Sequence, residues 1–248
     1  MVLGLFLCCG KTAQTQVDFE LMEQQMIDNY QILKEAYENG NPERQQIFGK
    51  KLKRQIMFAL LQKGSYYYPF FRLRRYIQMV ESQDKKIRIF SWDGMVGGNW
   101  RKMYSIAQFR GVQNQSYFKI LSDGEQIVHR YQDVCIHAIH QVPAPQNNGS
   151  YYVVIGKGSH AKGQQHTTVR VFYFSHNELL ECSDCFEQGE TYWTINSSIY
   201  YPIDLTYDSK RKQIRYLKPT YDPKTGNRQR GRYHRLYWRE GKFSADGN

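Results

Sequence analysis

Hydrophobic positions along this chain change their period near residue 84, from steps of three and four to steps of two. Ahead of that point, Phe19, Met22, Met26, Tyr30, Leu33 and Tyr37 recur on one helical face, which predicts an amphipathic helix over 18–38. The segment "ENGNP" stops it. Asn41 can cap a second helix, and Pro42 suits its first position, where a missing amide costs nothing. Ile47, Phe48, Leu52, Ile56 and Leu60 carry the second apolar stripe toward Gly64. After "SYYYP", Pro69 predicts the start of a third helix, with Leu73, Tyr76 or Ile77, and Val80 facing inward.

From Lys85 onward the pattern alternates. "KIRIFSW", "KMYSIAQF", "SYFKIL", "VCIHAIHQV", "YYVVIG", "TTVRVFYF", "SIYYPIDLTY", "QIRYL" and "RYHRLYW" are short and rich in β-branched and aromatic residues, with turn residues between them. Hairpin turns are legible at "SHNE", "YDSKRK" and "REGK". No long helix-patterned stretch separates the strands, which argues against parallel βαβ units. The expected class is α+β: an N-terminal helical segment packed on an antiparallel β meander, as a sandwich, curled sheet or partial barrel. The single Trp92-Asp93 pair has no repeat period behind it, so a propeller is discounted.

Composition agrees with a β-rich body: 15% of residues are aromatic, 20 of them Tyr, and these side chains favour strands and interfaces. No apolar run approaches the roughly 18 to 20 residues that cross a bilayer. Val2 to Cys9 is a short apolar run followed by Gly10 and the polar "KTAQTQ", the pattern of an export signal cut after Gly10 or Ala13. No Lys or Arg precedes the run, so an apolar first turn of a cytosolic protein stands as the alternative. The expected organisation is a signal segment over 1–13, a helical head over 14–84 and an antiparallel β domain over 85–248.

The densest group of reactive residues is "GKGSHAKGQQHTTVRVFYFSHNELLECSDC", residues 156–185. A metal reading would combine His160, His166, Cys182 and Cys185, but one C-x-x-C supplies only two of the four ligands a structural zinc needs. A local disulfide, or two plain loop cysteines, is the preferred reading of Cys182 and Cys185. Export would leave Cys135 as the odd thiol beside that pair. The glycines of "GMVGG" and "GKGSHAKG" lack the spacing of a phosphate cradle and read as loops needing positive φ. His137 and His140 are expected on opposite faces of one strand. No cofactor motif and no catalytic triad can be drawn from the order of residues.

Charge is distributed unevenly. Residues 44–75 carry nine Lys or Arg and no acid, and residues 210–242 carry twelve against Asp222 and Glu240. These blocks amount to +9 and +10 in a chain of net charge +11, so the remainder is acidic. In "RYHRLYWR", alternation puts Leu236 and Trp238 on the core face and Tyr233, Arg235, Tyr237 and Arg239 outward. Such a ladder of guanidinium groups and rings suits an anionic glycan, a lipid head group or another polyanion.

The order of a basic helical head, "KKIRIFSWDG", "SYYVVIGKG", "HTTVRVFYF", "IDLTYDSKRKQIRYL" and a closing "RLYWREGKF" resembles uncharacterised exported proteins of Gram-negative bacteria, over most of residues 70–243. The resemblance implies a periplasmic or envelope location and an accessory role, and adds no catalytic residue. The expected function is therefore an exported, non-catalytic binding or envelope-accessory protein for an anionic ligand. Two alternatives are a metal-assisted hydrolase using His160, His166 and nearby acids, and a cytosolic nucleic-acid binder that joins charge to base stacking.

Overall fold

A computed structural model describes residues 17–98, 100–111, 115–124, 130–144, 149–161, 163–200, 203–221 and 228–245. The expected export segment, 1–13, lies outside them. Helix α1 spans Phe19–Glu38 and α2 spans Pro42–Leu61. Each begins on a side-chain cap: Asp18 accepts from the Leu21 amide and Asn41 from the Arg44 amide, both at 3.0 Å. Met26, Ile27 and Leu33 of α1 share a core with Leu52, Ile56 and Leu60 of α2. Tyr37 and Ile47, expected inward, are instead 45% and 55% exposed.

The third helix expected from Pro69 does not form. The chain makes two single 3-10 turns, Ser65–Tyr67 and Leu73–Arg75, and then enters strand β1, Gln78–Glu81. Phe70 has φ +48°, a left-handed backbone that no α-helix can continue. Buried Glu23 of α1 holds the turn in place, accepting the amides of Arg72 and Leu73 at 2.9 Å each and the Tyr68 hydroxyl at 2.7 Å.

Three antiparallel sheets follow, and the class is α+β as expected. The first runs β1–β2–β3–β4, with β2 Ile87–Asp93, β3 Met103–Arg110 and β4 Ser116–Ser122. The second contains β5 Cys135–Pro143, β6 Ser150–Ala161, β7 Gln164–Ser175 and β8 Glu178–Glu181. Strand β9, Tyr192–Ser198, takes the rest of the β7 edge beside β8. The third runs β10–β11–β12–β13, over Leu205–Asp208, Gln213–Tyr221, Arg228–Arg239 and Lys242–Ala245. All three hairpin turns read from the sequence occur. The strand expected over 198–207 forms only from Leu205, with Ile199 and Tyr200 in an exposed turn.

Side-chain alternation stacks these elements in four layers. Phe90 and Trp92 of β2 face the helices, while Ile87 and Ile89 join Val154 and Phe172 of the second sheet. The other face of that sheet, with Val153, Val169 and Val171, packs on Ile214, Leu236, Trp238 and Phe243 of the third. The first two sheets are thus covered on both faces, which explains the near-continuous burial of β2 and β3. Buried Arg170 ties two layers together, holding Glu181 through two bonds of 2.6 and 2.8 Å and donating to the Leu121 carbonyl of the first sheet at 2.6 Å.

The glycines divide into two kinds. Gly97, at φ +103°, and Gly98, at φ +59°, make the positive-φ loop expected of "GMVGG". In 156–163 only Gly163, at φ +74°, does so. Gly156 and Gly158 lie within β6, where an added Cβ would stand 2.5 Å from Val134 and 2.5 Å from the His166 ring, so close packing selects glycine there. Neither helix is long and apolar enough to cross a membrane.

Candidate functional site

The outer face of the third sheet is built by the period-two pattern of β11, β12 and β13. Leu236 and Trp238 point into the core at 9% and 8% exposure, and Trp238 donates its indole N–H to the Pro143 carbonyl. Tyr233, Arg235, Tyr237 and Arg239 therefore share the opposite face, with Tyr233 45% exposed and both arginines exposed. The register sets Arg215 of β11 opposite Arg235, and Lys242 of β13 opposite Arg239. The Arg215 guanidinium lies 3.9 Å from the centre of the Tyr233 ring, and that of Arg239 lies 5.1 Å from the Tyr237 ring. Cation and ring alternate along β12, and β11 adds Arg215 beside them.

Two carboxylates among the described residues lie near these cations. Asp208, at the end of β10, is occupied by its own turn: the amides of Arg211 and Lys210 bind its carboxylate at 3.0 Å, and those bonds hold its pKa below the ordinary value. Asp184 lies 3.5 Å from Lys242, with both side chains more than half exposed. Like charges set directly across strands repel one another, and the register makes two such pairs here, Arg215 with Arg235 and Arg239 with Lys242. Arg232 and His234, which share the core-facing parity, are exposed as well. His234 there stacks on Tyr216 at 5.2 Å, and Tyr216 meets Trp193 at 4.9 Å.

The residues named for a metal centre are not brought together. Cys182 and Cys185 are joined as a disulfide, buried at 4% and 0% exposure against the third sheet. His166 is fully buried on the opposite face of the second sheet, beside Tyr131 at 5.3 Å and Trp100 at 6.2 Å. His160 lies in β6, and its side chain is outside the described residues. Among the described residues no group of three His, Cys, Asp or Glu side chains is placed to hold a metal ion.

A bulge between Ile136 and Ala138 interrupts the alternation that was expected to separate His137 from His140. Burial lowers the pKa of both imidazoles, with Lys157 adding to the effect at His137. Cys135 is a half-buried free thiol, and burial pushes its pKa up to about 12, which keeps it protonated and unreactive as a nucleophile.

A second cationic group was not legible in the sequence. Arg74, Lys85, Arg88 and Arg110 converge, with Glu81, on a cleft of about 360 Å³ beside β1. Periodicity gives no warning of it, because Arg88 sits between Ile87 and Ile89 where a strand with one wet face would turn its side chain to water. No protein-family model, curated protein or solved structure matches this chain.

Proposed function

We propose that this chain is an exported, non-catalytic binding protein of the periplasm or envelope, and that it holds an anionic polymer on the outer face of its third sheet. The observation that carries the reading is the ladder of Arg215, Tyr233, Arg235, Tyr237 and Arg239, an outer surface on which cations face one another across strands and stack on tyrosine rings. Guanidinium forks match carboxylate, sulfate and phosphate, and tyrosine rings offer flat faces for sugars. The Cys182–Cys185 disulfide supports an oxidising compartment outside the cytoplasm. An anionic glycan is the ligand best suited to that compartment.

Binding to a heparin-like glycan, compared with lipopolysaccharide and a single-stranded oligonucleotide, tests the reading. For a polymer with the charge density of single-stranded DNA, four contacts by Arg215, Arg235, Arg239 and Lys242 give a log–log salt slope near −3. Affinity then falls roughly 50-fold between about 50 and 200 mM salt. Arg235→Ala/Arg239→Ala should weaken glycan binding and cut that fall to under about ten-fold. Unchanged glycan binding in the double variant, or none in the parent protein, overturns the proposal; preference for the oligonucleotide moves it to nucleic acid. Protein from the native host should begin near Lys11 or Gln14, and an intact Met1 on cytosolic protein would remove the export part.

A further inference from the structure

We infer that the cleft between the 3-10 turns and strand β1 is a separate binding site for a small oxyanion-bearing solute of about monosaccharide size, such as a sugar phosphate or a uronate. The anchor is Arg88, 6% exposed and with no carboxylate among the described residues within salt-bridge reach. A buried charge offset only by Glu81, its neighbour across the β1–β2 pair, is costly: burial lowers the Arg88 pKa to about 10, with Tyr66 and Glu81 partly opposing that fall.

Neutral acceptors hold the guanidinium in place: Nε donates to Gln108 at 2.6 Å, Nη1 to the Tyr68 carbonyl at 2.7 Å and Nη2 to the Ser65 carbonyl. These bonds use three of the five N–H groups an arginine carries, leaving two with no acceptor among the described residues. Rings of Tyr66, Phe70 and Phe90 lie 5.1 to 5.4 Å from its centre, so its orientation is set before any ligand arrives.

The other cations face the same space. Arg110 stacks 4.8 Å from the Tyr66 ring and donates to the Tyr67 hydroxyl at 3.1 Å. Arg74 is near enough to lower the Arg88 pKa further, and Lys85 lines the rim. Glu81 is the one acid among the lining residues, so four cations against one carboxylate leave the cleft at +3. Its volume, about 360 Å³, lies at the lower end of small-ligand sites, which run roughly 300 to 1,000 Å³. An oxyanion at the Arg88–Arg110 end would place the body of the ligand against Tyr67 and Met79.

This site belongs to the first sheet and its turns, not to the third sheet, so it stands or falls apart from the polymer-binding face. Calorimetry with glucose 6-phosphate, glucuronate, inorganic phosphate and glucose, at about 50 mM salt, tests it. It is done in the Arg235→Ala/Arg239→Ala background to reduce binding at the third sheet. One or both of the first two ligands should bind, glucose should not, and Arg74→Gln/Arg110→Gln should lower the affinity at least ten-fold. If both sugar acids bind, the phosphate arm shows whether the oxyanion alone suffices.

A measurement on the unmutated chain guards against misfolding of that variant. Saturating ligand should protect Arg74 and Arg110 from an arginine-modifying dicarbonyl, read by mass spectrometry, while Arg54 on α2 stays reactive. No binding by any oxyanion, equal binding by glucose, unchanged affinity in a folded variant or equal labelling with and without ligand would each overturn the site.

Discussion

Asp133 offers a test in which electrostatics and packing make opposite forecasts. It accepts the Ser122 hydroxyl at 3.1 Å and the Gly124 amide, yet its pKa rises from an ordinary 3.8 to about 6, mainly because burial penalises the charge. The folded chain therefore binds a proton that the unfolded chain has released between pH 3.8 and about 6, so stability falls as pH rises through that window. Above it the penalty is complete; below 3.8 it vanishes. A shift of about two units is worth roughly 3 kcal/mol at most, and the carboxyl is partly exposed, so solvent screening reduces this to about 1 kcal/mol. Asp133→Asn keeps an acceptor for Ser122 but cannot ionise. It should melt about 2 to 4 °C above the parent at pH 8, the scale of 1 kcal/mol in a chain of 248 residues, and the gap should close near pH 4. Thermal unfolding followed by circular dichroism at pH 4, 6 and 8 measures this. A gap that does not change with pH, or a less stable variant at pH 8, refutes the argument that desolvation outweighs the two hydrogen bonds.

Other outcomes follow from single contacts. Cys182→Ala/Cys185→Ala removes a short loop closure worth about 2 kcal/mol, so denaturant unfolding should shift to lower concentration while the chain still folds; elemental analysis of the parent should find well under one equivalent of zinc. Glu23→Ala strands the buried Leu73 amide and loosens the turn beside β1, a loss of about 2 to 4 kcal/mol by the same unfolding assay, whereas Glu23→Gln should lose less because it keeps one acceptor. Gly158→Ala puts a Cβ 2.3 Å from the Asp133 carbonyl and 2.5 Å from the His166 ring, so it should cost about 1 to 3 kcal/mol or more, measured as a lowered melting temperature.

Much of the architecture could be read locally because the deciding interactions are local. Asn41 and Pro42 start α2 within one turn, and "SHNE" and "REGK" close hairpins over a few residues, with His176 and Glu240 in positive φ. The segment after Pro69 failed that reading because its conformation is set from a distance, by Glu23 fifty residues earlier and by pairing of β1 with β2. The ladder on β12 was legible because Leu236 and Trp238 are plainly better core residues than Arg235 and Arg239. The cationic cleft was not, because Arg88 alternates with isoleucines as a solvent-facing residue would. Only the stacking of helices on one face of the first sheet and a second sheet on the other buries both sets of side chains. Arg170, between Val169 and Val171, conceals its burial in the same way.

The order of the layers has an electrostatic consequence. Successive layers in such stacks lie about 10 Å apart, so the basic surface of α2 and that of the third sheet stand roughly 30 Å from each other across two doubly covered sheets. The Debye length at physiological ionic strength is about 8 Å, so each field decays to almost nothing before it reaches the other. The two poles neither repel one another through solvent nor compete for the same counter-ions. The charge at one pole is therefore set without reference to the other, and salt screens the two ends as independent cations.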